Sequence, residues 1–187
     1  GHKFYGPKGI GALYVRRRPR VRLEPMIDGG GQERALRSGT LPTPLCVGLG
    51  AAADIAAQVM DEEAQRISAL KTRLLEGIKG RLSGVVLNGH ERLRVAGNLN
   101  LAFEGVDAEA LMRAMPRLAV SSGSACTSTA VEPSYVLQAL GLDEARARSS
   151  IRLAIGRFNT EAEIDAAIEE LAAQVTRLRG EGSAAAE

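Results

Sequence analysis

Four places in this chain carry side chains that could do chemistry. The most distinctive is Ser121-Ser122-Gly123-Ser124-Ala125-Cys126-Thr127-Ser128-Thr129, a thiol among hydroxyls and small residues. Small polar residues between two ordered stretches make a loop. Free cysteine is usually a buried small hydrophobe, so a thiol on a polar loop is either a nucleophile or a surface cysteine without a task. Lys3 lies in a glycine-dense loop, beside His2 and the aromatic pair Phe4 and Tyr5. Its amine could attack a cofactor aldehyde if a lowered pKa left it neutral, or it is an ordinary charged loop lysine. Ser38-Gly39-Thr40 stands just ahead of a helix start, where a hydroxyl and free backbone N–H groups suit a phosphate or simply cap the helix. Arg152 alternates with Ile151 and Leu153, so it faces away from them with Ser150 and Ala154. There it can grip a carboxylate with two parallel hydrogen bonds or close an internal salt bridge.

The elements that must hold these residues follow from periodicity and punctuation. Short strands are expected at residues 12–15 and 118–120, and an extended stretch at 23–27, where Pro25 fits only an edge or a strand end. Thr43 as N-cap and Pro44 at the first helical position open a long helical region. Its apolar positions include Ala51, Ile55, Val59, Ile67, Leu70, Leu74 and Ile78. Cys46 sits inside that apolar surface as a packing residue. Val85, Val86 and Leu87 form a strand, Asn88-Gly89 turns, and residues 98–103 alternate as a half-buried strand. Asp107 caps a helix to Met115. Helices follow at 133–140 and 143–148, and a strand at 150–155. Thr160 and Glu163 form a capping box for a last helix to about Leu178, with a frayed tail from Gly180. Helices packed on a small, mostly antiparallel sheet make an α/β fold.

Composition narrows the function. At 187 residues with 45% hydrophobic and 25% charged, the chain can bury a core. A net charge of +2, 3% aromatics and no Trp argue against nucleic acid, despite the run Arg16, Arg17, Arg18, Arg20 and Arg22. Two distant cysteines do not make a disulfide scaffold. No apolar run is read as long enough to span a bilayer, so no membrane partner is expected.

Taken together, the motifs resemble one family. Gly1-His2-Lys3-Phe4-Tyr5-Gly6-Pro7-Lys8-Gly9 is similar to the cofactor-lysine segment of the class V aminotransferase group of pyridoxal phosphate enzymes. Gly29-Gly30-Gly31-Gln32-Glu33-Arg34, Arg37-Ser38-Gly39-Thr40 and Ser121-Ser122-Gly123-Ser124-Ala125-Cys126 resemble the cysteine desulfurases within it. Glu132-Pro133-Ser134-Tyr135-Val136-Leu137 and Ser149-Ser150-Ile151-Arg152 resemble the housekeeping branch that serves iron–sulfur cluster assembly, and so a link to metal binding. No residue is assigned as a metal ligand. The resemblance runs from Gly1 to about Leu178.

That resemblance implies the C-terminal small domain of a fold-type I pyridoxal phosphate transferase, with the end of the large cofactor domain. Residues 1–50 would end the cofactor domain, 51–179 form the small domain, and 180–187 a flexible tail. Lys3 would form the Schiff base with pyridoxal phosphate and later move protons. His2 would lie beside the cofactor phosphate, and Thr40 would reach the phosphate held by the other subunit of a homodimer. Arg152 would bind the carboxylate of L-cysteine. Cys126 would take its sulfur, leaving L-alanine and a persulfide for a scaffold protein or other acceptor, in a bacterial cytoplasm or a mitochondrial matrix. The large domain's aspartate, stacking histidine and further phosphate ligands have no counterpart here, so the chain by itself is expected to bind cofactor weakly and turn over little. A selenocysteine lyase, another class V aminotransferase, and a non-catalytic sulfur-relay or dimerisation module stay open beside the desulfurase.

Overall fold

A computed structural model describes residues 1–122 and 134–184 of the chain. It divides into two compact units, Gly1–Met60 and Asp61–Glu187. The first helix, α1 (Thr43–Lys79), runs through the division.

The second unit is built on an antiparallel sheet in the order β1 (Val85–Leu87), β2 (Asn98–Phe103), β3 (Ser150–Ala154). Alternation along the strands separates its faces. Leu99, Leu101 and Phe103 on β2 join Ile151 and Leu153 on β3 in one buried cluster. Ile67, Leu70, Leu74 and Ile78 of α1 close that core, as do Leu111 of α2 (Ala108–Ala114) and Ile164, Ile168, Leu171 and Val175 of α5 (Glu161–Ala184). At Gly77 a Cβ would collide with the Ile168 side chain, so glycine sets how closely α1 approaches α5. Arg73 bridges the two helices by donating two bonds of 2.7 Å to Asp165. The opposite face of the sheet carries Asn98, Asn100, Ala102, Ser150, Arg152 and Ala154, and the short helix α4 (Glu144–Arg148) lies against β2. α3 (Tyr135–Ala139) precedes α4.

The caps expected at Asp107 and Thr160 hold, and Asp143 adds another. Asp107 accepts from the Ala110 N–H at 2.9 Å, and Asp143 caps α4 through the Arg146 N–H at 2.8 Å. The Thr160 hydroxyl accepts from the Glu163 N–H while the Glu163 carboxylate accepts from the Thr160 N–H. That α/β architecture with a small antiparallel sheet is the expected one.

Several expectations fail. Residues 12–15 are not a strand, because among the described residues no neighbouring strand pairs with them; Leu13 is 78% and Tyr14 86% exposed, and the stretch expected to be extended at 23–27 bends at Met26 and Ile27. Residues 118–120 are not a strand either; pairing is limited to a single bridge at Ser121. The Pro42 carbonyl accepts from both Leu45 and Cys46, so α1 starts one residue earlier than expected and Thr43 is its first helical residue. The last helix continues through Gly180 to Ala184, where a frayed tail was expected. By length and composition alone, α1 includes a stretch long and apolar enough to cross a membrane, with mean hydropathy 1.3. The sequence reading missed it because Leu45, Val47, Leu49, Ile55 and Val59 are spread among alanines, glycines and polar residues instead of forming one unbroken apolar run.

Candidate active site

In the first unit, Lys3 sits in a single 3-10 turn, His2–Phe4, that ends on Tyr5 in the left-handed region (φ 67°). The Gly1 carbonyl accepts from both Phe4 N–H (3.2 Å) and Gly6 N–H (3.0 Å), which closes the turn. The residues that follow are seated on α1. A Cβ at Gly48 would lie 2.6 Å from Pro7 Cγ, and one at Gly6 would lie 3.3 Å from Ala52 Cβ. Gly48 and Ala52 are one helical turn apart, so small side chains on one helix face admit the lysine loop. His2 and Lys3 are exposed, and neither has an ion pair among the described residues.

Thr40 is also exposed, at the end of a constrained loop. Ser38 is buried and donates its N–H to the Ile27 carbonyl at 3.1 Å, while the Arg37 guanidinium donates to the Ser38 carbonyl at 2.8 Å. Gly39 takes φ 117°, a conformation open to glycine. The helix start beyond is a poor anion cradle. Pro44 has no N–H, and those of Leu45 and Cys46 are spent on the Pro42 carbonyl. The Thr40 hydroxyl, by contrast, is exposed. Cys46 is a free, half-buried thiol on α1.

In the second unit, Arg152 is half-buried on the polar face of the sheet. The salt bridge that was its alternative fate does not form: among the described residues its guanidinium has no carboxylate and no hydrogen-bond acceptor. Its backbone is clamped to Ser121. Arg152 N–H donates to the Ser121 carbonyl at 2.6 Å, and Ser121 N–H donates back at 3.3 Å. Thus the strand that carries the arginine also holds the residue from which the Cys126 segment leaves. Cys126 itself lies outside the described residues. The turn after β3 is fastened to α1 through the half-buried pair Arg157–Glu63 and through Arg66, which donates to the carbonyls of Arg157 and Asn159.

Sequence reading missed a polar network beside Arg152. Asn88, 2% exposed, donates through Nδ2 to Asn100 Oδ1 (2.7 Å) and to Ser150 Oγ (2.8 Å). Its Oδ1 accepts from Arg146 Nε at 2.8 Å, and its carbonyl from the Arg94 guanidinium at 2.8 Å. Burial pushes the Arg94 pKa below its ordinary value. The available signal was the Asn98-Leu99-Asn100 alternation, which sets two amides on the face opposite the leucine.

The chain matches Aminotransferase class-V over residues 1–167. It is 56% identical to the cysteine desulfurase IscS of Rickettsia felis over 179 residues, 96% of this chain and 44% of that protein, with the same figures for the enzyme of Rickettsia bellii. A solved NifS-like protein superposes with a TM-score of 0.81 at 30% identity, over 94% of this chain and 44% of its own. The chain therefore spans less than half the length of the curated relatives it matches. It belongs to the class-V aminotransferase family.

Proposed function

We propose that this chain supplies the lysine turn, the substrate-carboxylate arginine and the sulfur-accepting cysteine of a pyridoxal phosphate-dependent cysteine desulfurase. The observation that carries the proposal is Arg152: half-buried, without a carboxylate among the described residues, and hydrogen-bonded both ways to the residue that opens the Cys126 segment. A half-buried guanidinium with no carboxylate of its own among the described residues suits a ligand that brings one, which it can grip with two parallel hydrogen bonds.

The donor set suits the cofactor: an exposed amine without an ion pair at Lys3, an imidazole at His2 and an exposed hydroxyl at Thr40. Pyridoxal phosphate, when bound, draws electron density from the substrate's α-carbon. Lys3 would hold it covalently, His2 would lie against its phosphate, and Thr40 would reach the phosphate in a second copy of the protein. Arg152 fixes the carboxylate of L-cysteine. The Cys126 thiolate attacks the substrate sulfur, so an S–S bond forms as the C–S bond breaks. The electron pair of that bond stays with the substrate carbon, and Lys3 returns a proton to give L-alanine. The persulfide on Cys126 is then passed to an acceptor, including a scaffold for iron–sulfur clusters. The exposed apolar side chains of the first unit, Leu13, Tyr14 and Met26 among them, would pack against the cofactor domain and the second copy.

The test is release of L-alanine and sulfide from L-cysteine by the protein as its own gene encodes it. Cys126→Ala should abolish sulfide release, and borohydride reduction with mass spectrometry should find the cofactor on Lys3. Unchanged desulfuration by Cys126→Ala would move the assignment to an aminotransferase; persulfide uptake by Cys126 with no cofactor on Lys3 would leave a sulfur-relay module.

A further inference from the structure

We propose that Asn100 is a second substrate-binding residue, its side-chain amide donating to the same carboxylate as Arg152; this rests on the reading of Arg152 given above. Hydrogen-bond bookkeeping fixes which way the amide points. Arg146 Nε can only donate, so the Asn88 atom it meets is the oxygen. Asn88 Nδ2 is then directed at Asn100 and Ser150. A donor facing Asn100 requires an acceptor there, so Oδ1 of Asn100 is committed to Asn88 and its NH2 group is turned the other way. Nothing among the described residues accepts from that NH2, and it is not sealed from solvent.

The register places this free donor next to Arg152. Asn100 and Arg152 are directly opposed on β2 and β3, so their side chains share the polar face. Arg152 spends its backbone N–H and carbonyl on Ser121, and Asn100 turns its carbonyl to the Asn88 N–H at 2.9 Å. Their own pairing is therefore the narrow, non-hydrogen-bonded kind, in which opposed side chains stand closest. A planar guanidinium and an amide NH2, side by side with no acceptor between them, make a donor-only surface. Its complement is an anion with two or more acceptor oxygens, and an α-carboxylate supplies that. Asn88 and Arg146 act through Asn100 as positioning residues.

The experiment measures KM for L-cysteine and the dissociation constant of cysteamine, which lacks the carboxylate, on the cofactor-loaded protein. Asn100→Ala should raise KM for L-cysteine about tenfold or more, the loss of one hydrogen bond to a charged group. Binding of cysteamine should stay within about twofold. Asn100→Asp keeps an acceptor for Asn88 Nδ2 and so keeps the network, but exchanges the free donor for a charged acceptor; it should raise KM for L-cysteine further and again spare cysteamine. Asn88→Ala should give a smaller rise, because the amide remains but is no longer held. If Asn100→Ala fails to fold, Asn100→Asp decides. An unchanged KM for L-cysteine in Asn100→Asp, or an equal loss for cysteamine, overturns the proposal. Arg152→Ala separates the two readings: if it raises KM and Asn100→Asp does not, only Asn100 is wrong, and if it leaves KM unaltered, the role given to Arg152 falls as well.

Discussion

The two units differ in what holds them. In Asp61–Glu187 a continuous cluster from Ile67 to Val175 is buried, and Phe103, Leu111, Ile151 and Leu171 are fully enclosed. In Gly1–Met60 only Ala52 and Ser38 are buried, while Met26 is 98% exposed. The conformational oddities lie on the same side of the division. Among the described residues, all non-glycine residues with positive φ belong to the first unit: Tyr5, then Glu33, Arg34 and Ala35 in succession. Each such residue costs roughly 1–2 kcal/mol. Strain without a core is tolerable in a segment whose shape serves something it touches. The residues proposed to meet the cofactor are in that unit, and the one proposed to meet the substrate carboxylate stands on a self-supporting sheet.

The sharpest way to break this contrast is to truncate an enclosed side chain and an exposed one of similar size. Phe103→Ala should destabilise the second unit by about 3–5 kcal/mol, and Met26→Ala should stay within about 0.5 kcal/mol, as read by urea denaturation. Comparable losses would mean the first unit has a core of its own. A smaller effect compares two close approaches. Gly97→Ala would drive a Cβ onto the Ile155 carbonyl, where backbone cannot yield, whereas Gly48→Ala would meet the ring of Pro7. Gly97→Ala should cost about 1–3 kcal/mol of global stability. Gly48→Ala should shift the lysine loop, visible in the amide resonances of residues 2–9, with less change in the unfolding midpoint.

The smallest effect is acid sensitivity, and it too falls on the second unit. Hydrogen bonds from Arg73 hold Asp165 below its ordinary pKa, and the Thr160 N–H does the same for Glu163. A carboxylate whose pKa is depressed by folding stabilises the fold above its unfolded pKa, and that contribution is lost as pH falls through the folded value. Stability should therefore decline below about pH 4, and Asp165→Asn should flatten the slope there. Both carboxylates are exposed, so the change is modest and shrinks with added salt.

What could be read from the sequence was local. The alternation at Asn98–Phe103, the cap at Asp107 and the reciprocal pair Thr160–Glu163 are one-segment signals, and the structure contains all of them. The strand expected at 12–15 failed because a strand is a property of a pair, and its pattern says nothing about whether a neighbour is within reach. Arg152 was singled out correctly as facing away from the apolar row, but one strand could not say whether an acid waits across the sheet. Asn88 was read as half of a turn; its part in orienting Asn100 depends on Arg146, distant in sequence and brought over by α4. Lys3 and Thr40 stood out by their glycine-rich surroundings, and their exposure was not legible.

The pairing of Ser121 with Arg152 sets a leash. Cys126 follows Ser121 by five residues, so its α-carbon lies within about 18 Å of the Ser121 α-carbon, whose backbone pairs with Arg152. On the desulfurase reading that radius limits delivery as well as collection. An acceptor must bring its own sulfur-receiving atom to that neighbourhood, whichever surface of the protein it docks on.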